Sequence, residues 1–228
     1  MLTAIIPALN AGEHLDSILG QLSARDVSAI VADGGSSDET LGHACRYNAS
    51  IASGVCGRGT QLARGARWAN KTCSPQWYLF LHADSRLGEG WDVAVTLHMN
   101  KHPDKAGYFR FRADDTGWKP RLMEFCVRFR ELTFGGPYGD QGLLISRELY
   151  ERIGGYEPVA IFEDVKIIDA IKEQKALRRL PANLYTCVRE YKHDGYWART
   201  KRNLGLYKAY RRGAGIDQLL AEYKQSAK

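Results

Sequence analysis

The chain has 228 residues, 44% hydrophobic and 25% charged, an ordinary globular composition long enough for one sizeable core. No apolar run is long enough to cross a membrane and no basic leader opens the chain, so the expectation is a cytoplasmic protein without a membrane span. The net charge of +6 sits in residues 189–228, with ten Lys/Arg against four Asp/Glu, while residues 1–188 balance at 22 against 22.

In chain order, "LTAIIPAL" is an apolar run, and "EHLDSILGQL" places Leu15, Ile18, Leu19 and Leu22 on one helical face. "SAIVADGGSSDET" is a short strand that breaks at two glycines, with Asp38 or a nearby serine placed to cap the next helix. "GRGTQLARGARWAN" reads as a glycine loop entering a helix, and "WYLFLHAD" is the next strand. Strands alternating with helices predict an α/β fold, a mostly parallel, Rossmann-like central sheet with helices on both faces. Ligands of such sheets bind beyond the carboxyl ends of the strands, where Asn10, Asp33 to Asp38, His82 and Asp84 fall.

The second half is less regular. "KAGYFRFRAD" alternates like an antiparallel or edge strand, and "RLMEFCVRFREL" is helical. "EDVKIIDAIKEQ" sets Val165, Ile168 and Ile171, with Ile167 beside them, along a helix whose first turn carries Glu163 and Asp164. The five cysteines are odd in number and form no C-x-x-C pair, which argues against a zinc cluster or a disulfide framework. They are expected as reduced, mostly buried, small hydrophobic side chains. No repeat or linker divides the chain, so residues 1–228 are read as one domain.

Each polar cluster has two readings. Asp-Gly-Gly makes ordinary turns, but it also lets backbone approach a ligand while Asp33 accepts from a ring N–H or a ribose hydroxyl. Gly57-Arg58-Gly59 before a helix offers amides and a guanidinium to phosphate. The His82-x-Asp84 pair is either a polar strand end or a source of one or two ligands for Mg²⁺ or Mn²⁺ on a diphosphate. Glu163-Asp164 is either an acidic pair favoured by the helix dipole or a reactive one.

The order of these pieces narrows the choice. "IIPALN", "ADGGSSDET", "GRGTQLARGA", "LFLHADS", "GPYGDQGLLISRELYERIGGY" and "FEDVKIIDAI" follow one another along nearly the whole chain. In this the sequence resembles the family 2 glycosyltransferases of the GT-A fold, and more narrowly a compact bacterial subgroup of them. The resemblance implies an inverting glycosyltransferase of the hexosyltransferase type, moving a sugar from a nucleoside-diphosphate donor, a UDP-sugar by preference, to an acceptor hydroxyl. It divides the domain into a nucleotide-sugar-binding half (1–90), an acceptor and catalytic half (91–188) and a basic amphipathic C-terminal segment (189–228).

Carried over residue by residue, the resemblance puts Pro7 and Asn10 along the nucleotide pocket and Asp33 on the base, with Ser36 close by. Arg58 lies near base or diphosphate. Asp84 stands at the last aspartate of the family's metal motif and is the first ligand expected for a divalent cation. His82 departs from the pattern, replacing the motif's first aspartate, so it binds metal, orients from a second layer or only packs. Gly139, Asp140 and Gln141 form part of the acceptor side, Asp164 matches the general base, and Glu163 orients rather than abstracts. Arg189 reaches a phosphate.

From Tyr196 to Arg212, Trp197, Leu204, Tyr207 and Tyr210 fall broadly on one half of a helix and Lys201, Arg202, Lys208 and Arg212 on the other. That suits anionic lipid at the inner membrane face and a lipid-linked acceptor, or equally packing of the aromatic half onto the body. His193 is a further conceivable ligand. A sugar-nucleotide nucleotidyltransferase would want a glycine-rich, lysine-bearing signature after the first strand, which "PALNAGEHL" does not supply. Nucleic-acid binding is not expected, since no recognition motif occurs and the charge is confined to the tail. A degenerate nucleotide-sugar binder without turnover remains the other reading.

Overall fold

A computed structural model describes residues 1–133 and 136–225. The first half runs β1 (Leu2–Ala8), α1 (Gly12–Ser23), β2 (Ser28–Asp33), α2 (Thr40–Arg46), β3 (Ser50–Ile51), α3 (Arg58–Thr72) and β4 (Trp77–Phe80). After it come β5 (Ser85–Leu87), α4 (Trp91–Lys101), β6 (Ala106–Ala113), α5 (Trp118–Thr133), a 3₁₀ turn (Gly139–Gln141), β7 (Leu143–Ser146) and α6 (Arg147–Arg152). The chain continues through α7 (Glu163–Glu173), β8 (Leu177–Thr186), α8 (Arg189–Asp194), α9 (Tyr196–Arg211) and α10 (Ile216–Gln225).

Among the described residues the strands form one sheet in the order β3-β2-β1-β4-β7-β6-β8-β5. β2 and β4 flank β1 in parallel and β3 adds to β2, as alternating strands and helices require. β1 is buried on both faces. Ala4, Ile6 and Ala8 pack with Leu15, Ile18, Leu19 and Leu22 of α1, while Ile5 packs with α3 and α7 through Leu62, Ala66, Ile167 and Ile171. That is why the strand reads as an unbroken apolar run rather than an alternating one. A Cβ at Gly65 of α3 would lie 2.5 Å from Ile5 Cγ2, so helix and strand meet at this distance only because position 65 carries no side chain.

The second half turns the sheet mixed. β7 runs antiparallel to β4 and β6 antiparallel to β7, whereas β8 returns parallel to β6 and β5 closes the edge antiparallel to β8. Residues 106–113 therefore form an interior strand and not an edge, with Phe109 fully buried. All five cysteines are free, as expected, but their burial is overturned: Cys45, Cys56 and Cys126 are exposed, and Cys73 and Cys187 are only partly covered. α2 and α5 carry Cys45 and Cys126 on their outer faces, where no core reaches them.

The C-terminal helices fold back on the body, with the last three residues of the basic segment outside the described ones. Tyr210 stacks on Phe162 at 4.5 Å between ring centroids, Tyr207 meets Tyr138 at 5.7 Å, and Arg211 pairs with Asp169. The aromatic rows at Tyr207 and Tyr210 thus pack inward instead of facing lipid, while Trp197 and Leu204 stay about half exposed. No helix among the described residues is long and apolar enough to cross a membrane.

Candidate active site

At the carboxyl ends of the parallel strands, two loops are laced into one. Asn10 takes a positive φ of 50° after β1, its amide donates to Ser36 Oγ at 3.0 Å, and its side-chain carbonyl accepts from the Ser37 amide at 2.9 Å. Asp38 accepts from the Gly12 amide at the start of α1 and from the Thr40 amide of α2, tying two helix starts together, although Glu39 and not Asp38 or a serine holds the N-cap position of α2. Asp33 ends β2 buried, and its carboxylate accepts from the Gly35 and Ser36 amides and from Ser36 Oγ at 2.5 Å. Burial works to raise its pKa, but these hydrogen bonds and the charge of Arg64 outweigh it and hold the group below its ordinary value. Asp33 is an ionised anchor of this loop, and Pro7 lies half-buried on the neighbouring strand.

Two residues not singled out in the sequence complete this floor. Gln61, 4% exposed, donates to the carbonyls of Ala8 and Ala32 at 2.8 and 2.7 Å and accepts from the Gly57 amide, tying two strand ends to the start of α3. Arg64 donates to the carbonyls of Asp33, Ala52 and Val55. Their signal lay inside "GRGTQLARGA", one helical turn past the glycines. Gly59 in the same motif has the backbone oxygens of Glu157 and Val159 at 2.4 and 2.8 Å from where a Cβ would sit, so the start of α3 can approach the loop before α7 only as glycine.

That approach brings together the second cluster. Arg58 pairs with Glu163 and lies 3.6 Å from Asp164 Oδ2 through Nη2. It thus faces the acidic pair at the start of α7. Glu163 is 1% exposed, its Oε2 has no hydrogen-bond partner, and burial raises its pKa against the pull of Arg58. Asp164 is more open: Oδ2 accepts from the Gly139 amide at 2.8 Å and Oδ1 from the Val165 amide at 2.9 Å. A Cβ at Gly139 would sit 3.2 Å from both Asp164 Oδ2 and His82 Nε2, so both side chains close over the one glycine and a side chain there would meet them. Arg58, His82, Tyr138, Gly139, Tyr156 and the acidic pair line a small cavity of about 20 Å³.

Burial, then the charge of Arg58, hold the His82 pKa down to about 3 against the opposing pull of Asp164, so its imidazole is neutral at any working pH. The sign follows. The unfolded chain takes up a proton at this histidine below its ordinary 6.5 and the native one does not until about 3, so stability is lost as pH falls through that window. His82→Gln should therefore lose less thermal stability than wild type between neutral and mildly acidic pH, by about 1.4 kcal/mol per pH unit. Melting temperatures of both proteins across that range, followed by circular dichroism, check this; parallel curves would refute it.

Asp140 sits in the 3₁₀ turn with Oδ1 sealed from solvent and unpartnered. Burial and the neighbouring charges of Asp164 and Asp84 outweigh Arg130 and Arg58 and push its pKa up to about 6. Gln141 is fully buried and holds the turn to α5 by donating to Glu131 Oε1 at 2.6 Å and to the Phe109 carbonyl at 3.1 Å. Arg130, whose role the sequence did not disclose, lies 3.5 Å over the Tyr138 ring.

Asp84 opens to the other side, into a cleft of about 340 Å³ whose wall includes Glu13, His14, Asp114, Arg189 and Lys192. Burial raises its pKa, with the charge of His14 opposing. Arg189 stands across this cleft, paired with Glu13 at 3.2 Å. His193, by contrast, is 89% exposed and pairs with Asp194. Asp84 supplies the hard oxygen ligand a divalent cation takes, while His82, two residues before it, lines the other cavity. Among the described residues no group of three His, Cys, Asp or Glu side chains could hold an ion by itself. A single carboxylate at this cleft fits a cation that draws its other ligands from a diphosphate.

No protein-family model matches the chain, and none of the curated proteins does. Solved structures do. Glucosyl-3-phosphoglycerate synthase from Mycobacterium tuberculosis, in complex with Mn²⁺, uridine diphosphate and phosphoglyceric acid, superposes with a TM-score of 0.61 at 19% identity over 82% of this chain and 69% of that one. The same enzyme with Mn²⁺ and UDP-glucose gives 0.60 at 20% identity over 82% and 70%. The complex that also holds glycerol 3-phosphate gives 0.59 over the same shares. The fold expected from the sequence is therefore the one found, the GT-A fold of nucleotide-sugar-dependent transferases.

Proposed function

We propose that this chain is an inverting family 2 glycosyltransferase that moves a sugar from a nucleoside diphosphate, UDP by preference, to an acceptor hydroxyl. One observation carries the reading: a solvent-reachable carboxylate, Asp164, is held by two backbone amides at a helix start and shares the space over Gly139 with His82 of the strand end. The binding of Mn²⁺ and UDP-glucose by the M. tuberculosis enzyme of the same fold supports the donor class and the cation.

In the proposed reaction the acceptor oxygen attacks the anomeric carbon as the bond from that carbon to the diphosphate oxygen breaks. The acceptor proton passes to Asp164, the nucleoside diphosphate leaves, and the anomeric configuration inverts. Glu163 and Arg58 fix the position of Asp164, the former too enclosed to meet substrate itself. Asp84 would hold a divalent cation, Mg²⁺ or Mn²⁺, whose chemistry is to neutralise charge developing on the leaving diphosphate. His14, Arg189 and Lys192 line the same cleft and suit the phosphates. Pro7, Asn10, Asp33 and Ser36 shape the nucleoside end, Asp33 by holding its loop open to the base. Gly139, Asp140 and Gln141 border the acceptor.

The test is calorimetric titration of UDP, GDP, dTDP and CMP, each with and without Mn²⁺, on wild type and Asp84→Ala. Cation-dependent binding of one nucleoside diphosphate that weakens at least tenfold in the variant is the expected result, in line with loss of a ligand to the ion. No binding under any condition would remove the proposed site. Binding without any donor hydrolysis or transfer would favour the degenerate reading.

A further inference from the structure

α5 wears its apolar stripe on the outside. Trp118, Leu122 and Phe125 recur at the spacing of one helical face, and Trp118 and Phe125 are each 65% exposed. The opposite face is the one that packs: Met123 and Val127 lie against Phe111, Ala113 and Val188. Charge divides just as sharply. Both carboxylates of the helix turn inward, Glu124 to Arg112, Arg121 and the Ala113 amide, Glu131 to Gln141 and Arg179. On a helical projection the charges beside the outer stripe are cationic, Lys119 on one side and Arg128 on the other, both exposed, with Arg121 next to Arg128 but paired to Glu124. A second exposed tryptophan, Trp197 of α9, follows Tyr196, whose hydroxyl is bonded to Asp115 just before α5.

We infer that this face docks on an anionic lipid surface. Aromatic side chains at the level of the headgroups, a basic flank on each side and no carboxylate on the outer face are the features of a helix that lies in a membrane interface. A protein partner matched to the stripe would have to bring its own acids to both flanks, whereas an anionic bilayer presents negative charge on every side. The docking would also serve the site. The inner face of α5 holds the Tyr138 to Gln141 segment through Arg130 and Glu131, so the acceptor border of the proposed transferase would lie directly behind the docked helix. That consequence rests on the functional reading above; the docking itself does not.

Co-sedimentation with vesicles of phosphatidylcholine mixed with phosphatidylglycerol, against pure phosphatidylcholine, tests it. Wild type should pellet with the anionic vesicles and far less with the neutral ones. Trp118→Ser combined with Phe125→Ser should bind roughly tenfold more weakly, and Arg128→Glu should weaken the anionic preference alone. All variants should keep the wild-type circular dichroism spectrum, since none of these side chains supports the core. No binding of wild type to either vesicle, or equal binding by the double serine variant, would overturn the proposal. So would a dimer in sedimentation velocity that the double variant abolishes while vesicle binding is absent. Nucleotide titration of the same preparations separates a failure here from a failure of the transferase reading.

Discussion

Asp164→Asn should slow sugar transfer, or the slow hydrolysis of the donor by water, by about 10²–10⁴-fold while changing UDP affinity little, because it removes a proton acceptor and not a donor-binding group. The carboxylate occupies the first turn of α7, where two amides fix its plane. An asparagine fills the same volume and keeps an oxygen for the Gly139 amide, so fold and donor binding should survive. The contrast with its neighbour sharpens the test. Glu163→Gln leaves the base in place and loosens only Arg58, so its loss should be smaller, and raising the pH should not restore it. If Glu163→Gln were the more damaging change with Asp164→Asn near wild type, the two roles would be exchanged. If both left turnover intact, neither residue is the base and the proposed chemistry fails. The anomeric configuration of the product, read by nuclear magnetic resonance during early turnover, checks inversion independently.

How much of this was open to reading from sequence depends on whether the signal is local. The faces of α1 and α7 were legible because Leu15, Ile18, Leu19, Leu22, Val165, Ile168 and Ile171 repeat at helical spacing, and all are buried as expected. The parallel half of the sheet followed from strand and helix alternation. The place of β6 did not, since "AGYFRFRA" alternates in the same way on an edge as between β7 and β8. Arg58 and Glu163 lie 105 positions apart, so no motif spacing announces that they pair; the glycine at position 59 that permits it looks like any other. The stripe on α5 was hidden for the opposite reason. Helical periodicity shows that a helix has an apolar face but not which way it turns, and here Met123 and Val127, not the larger aromatics, face the body. The cysteines failed similarly: a general tendency to be buried carries no information about the outer faces of α2 and α5.

The second large effect is expected at Asp140, in a direction unusual for a residue inside a folded domain. Its carboxyl is pushed from an ordinary 3.8 up to about 6, chiefly by burial, with Oδ1 left without a partner. A raised carboxyl means the native state holds its proton where the unfolded chain has lost it. Stability from this group is therefore lost as pH rises from about 4 to 6, and the deficit persists above that. The shift of roughly two pKa units corresponds to a deficit of order 3 kcal/mol at neutral pH. Asp140→Asn removes the ionisation and should stabilise the protein above pH 6, raising the melting temperature by about 5–10 °C for a domain of this size. At pH 4 the gain should vanish. A folded protein keeps such a group where ionised form and site are needed together. The same substitution should therefore lower turnover at least tenfold, by loss of a charged contact on the acceptor side. Wild-type activity should fall as pH drops through 6, and the variant should lack that limb. The opposing term of His82 acts over an overlapping range, so Asp140→Asn should also show more steeply than wild type the loss of stability on acidification that this histidine causes. A variant less stable than wild type at pH 7.5 would mean that Asp140 is held by Arg130 as a structural pair, and the argument from its enclosure would be wrong.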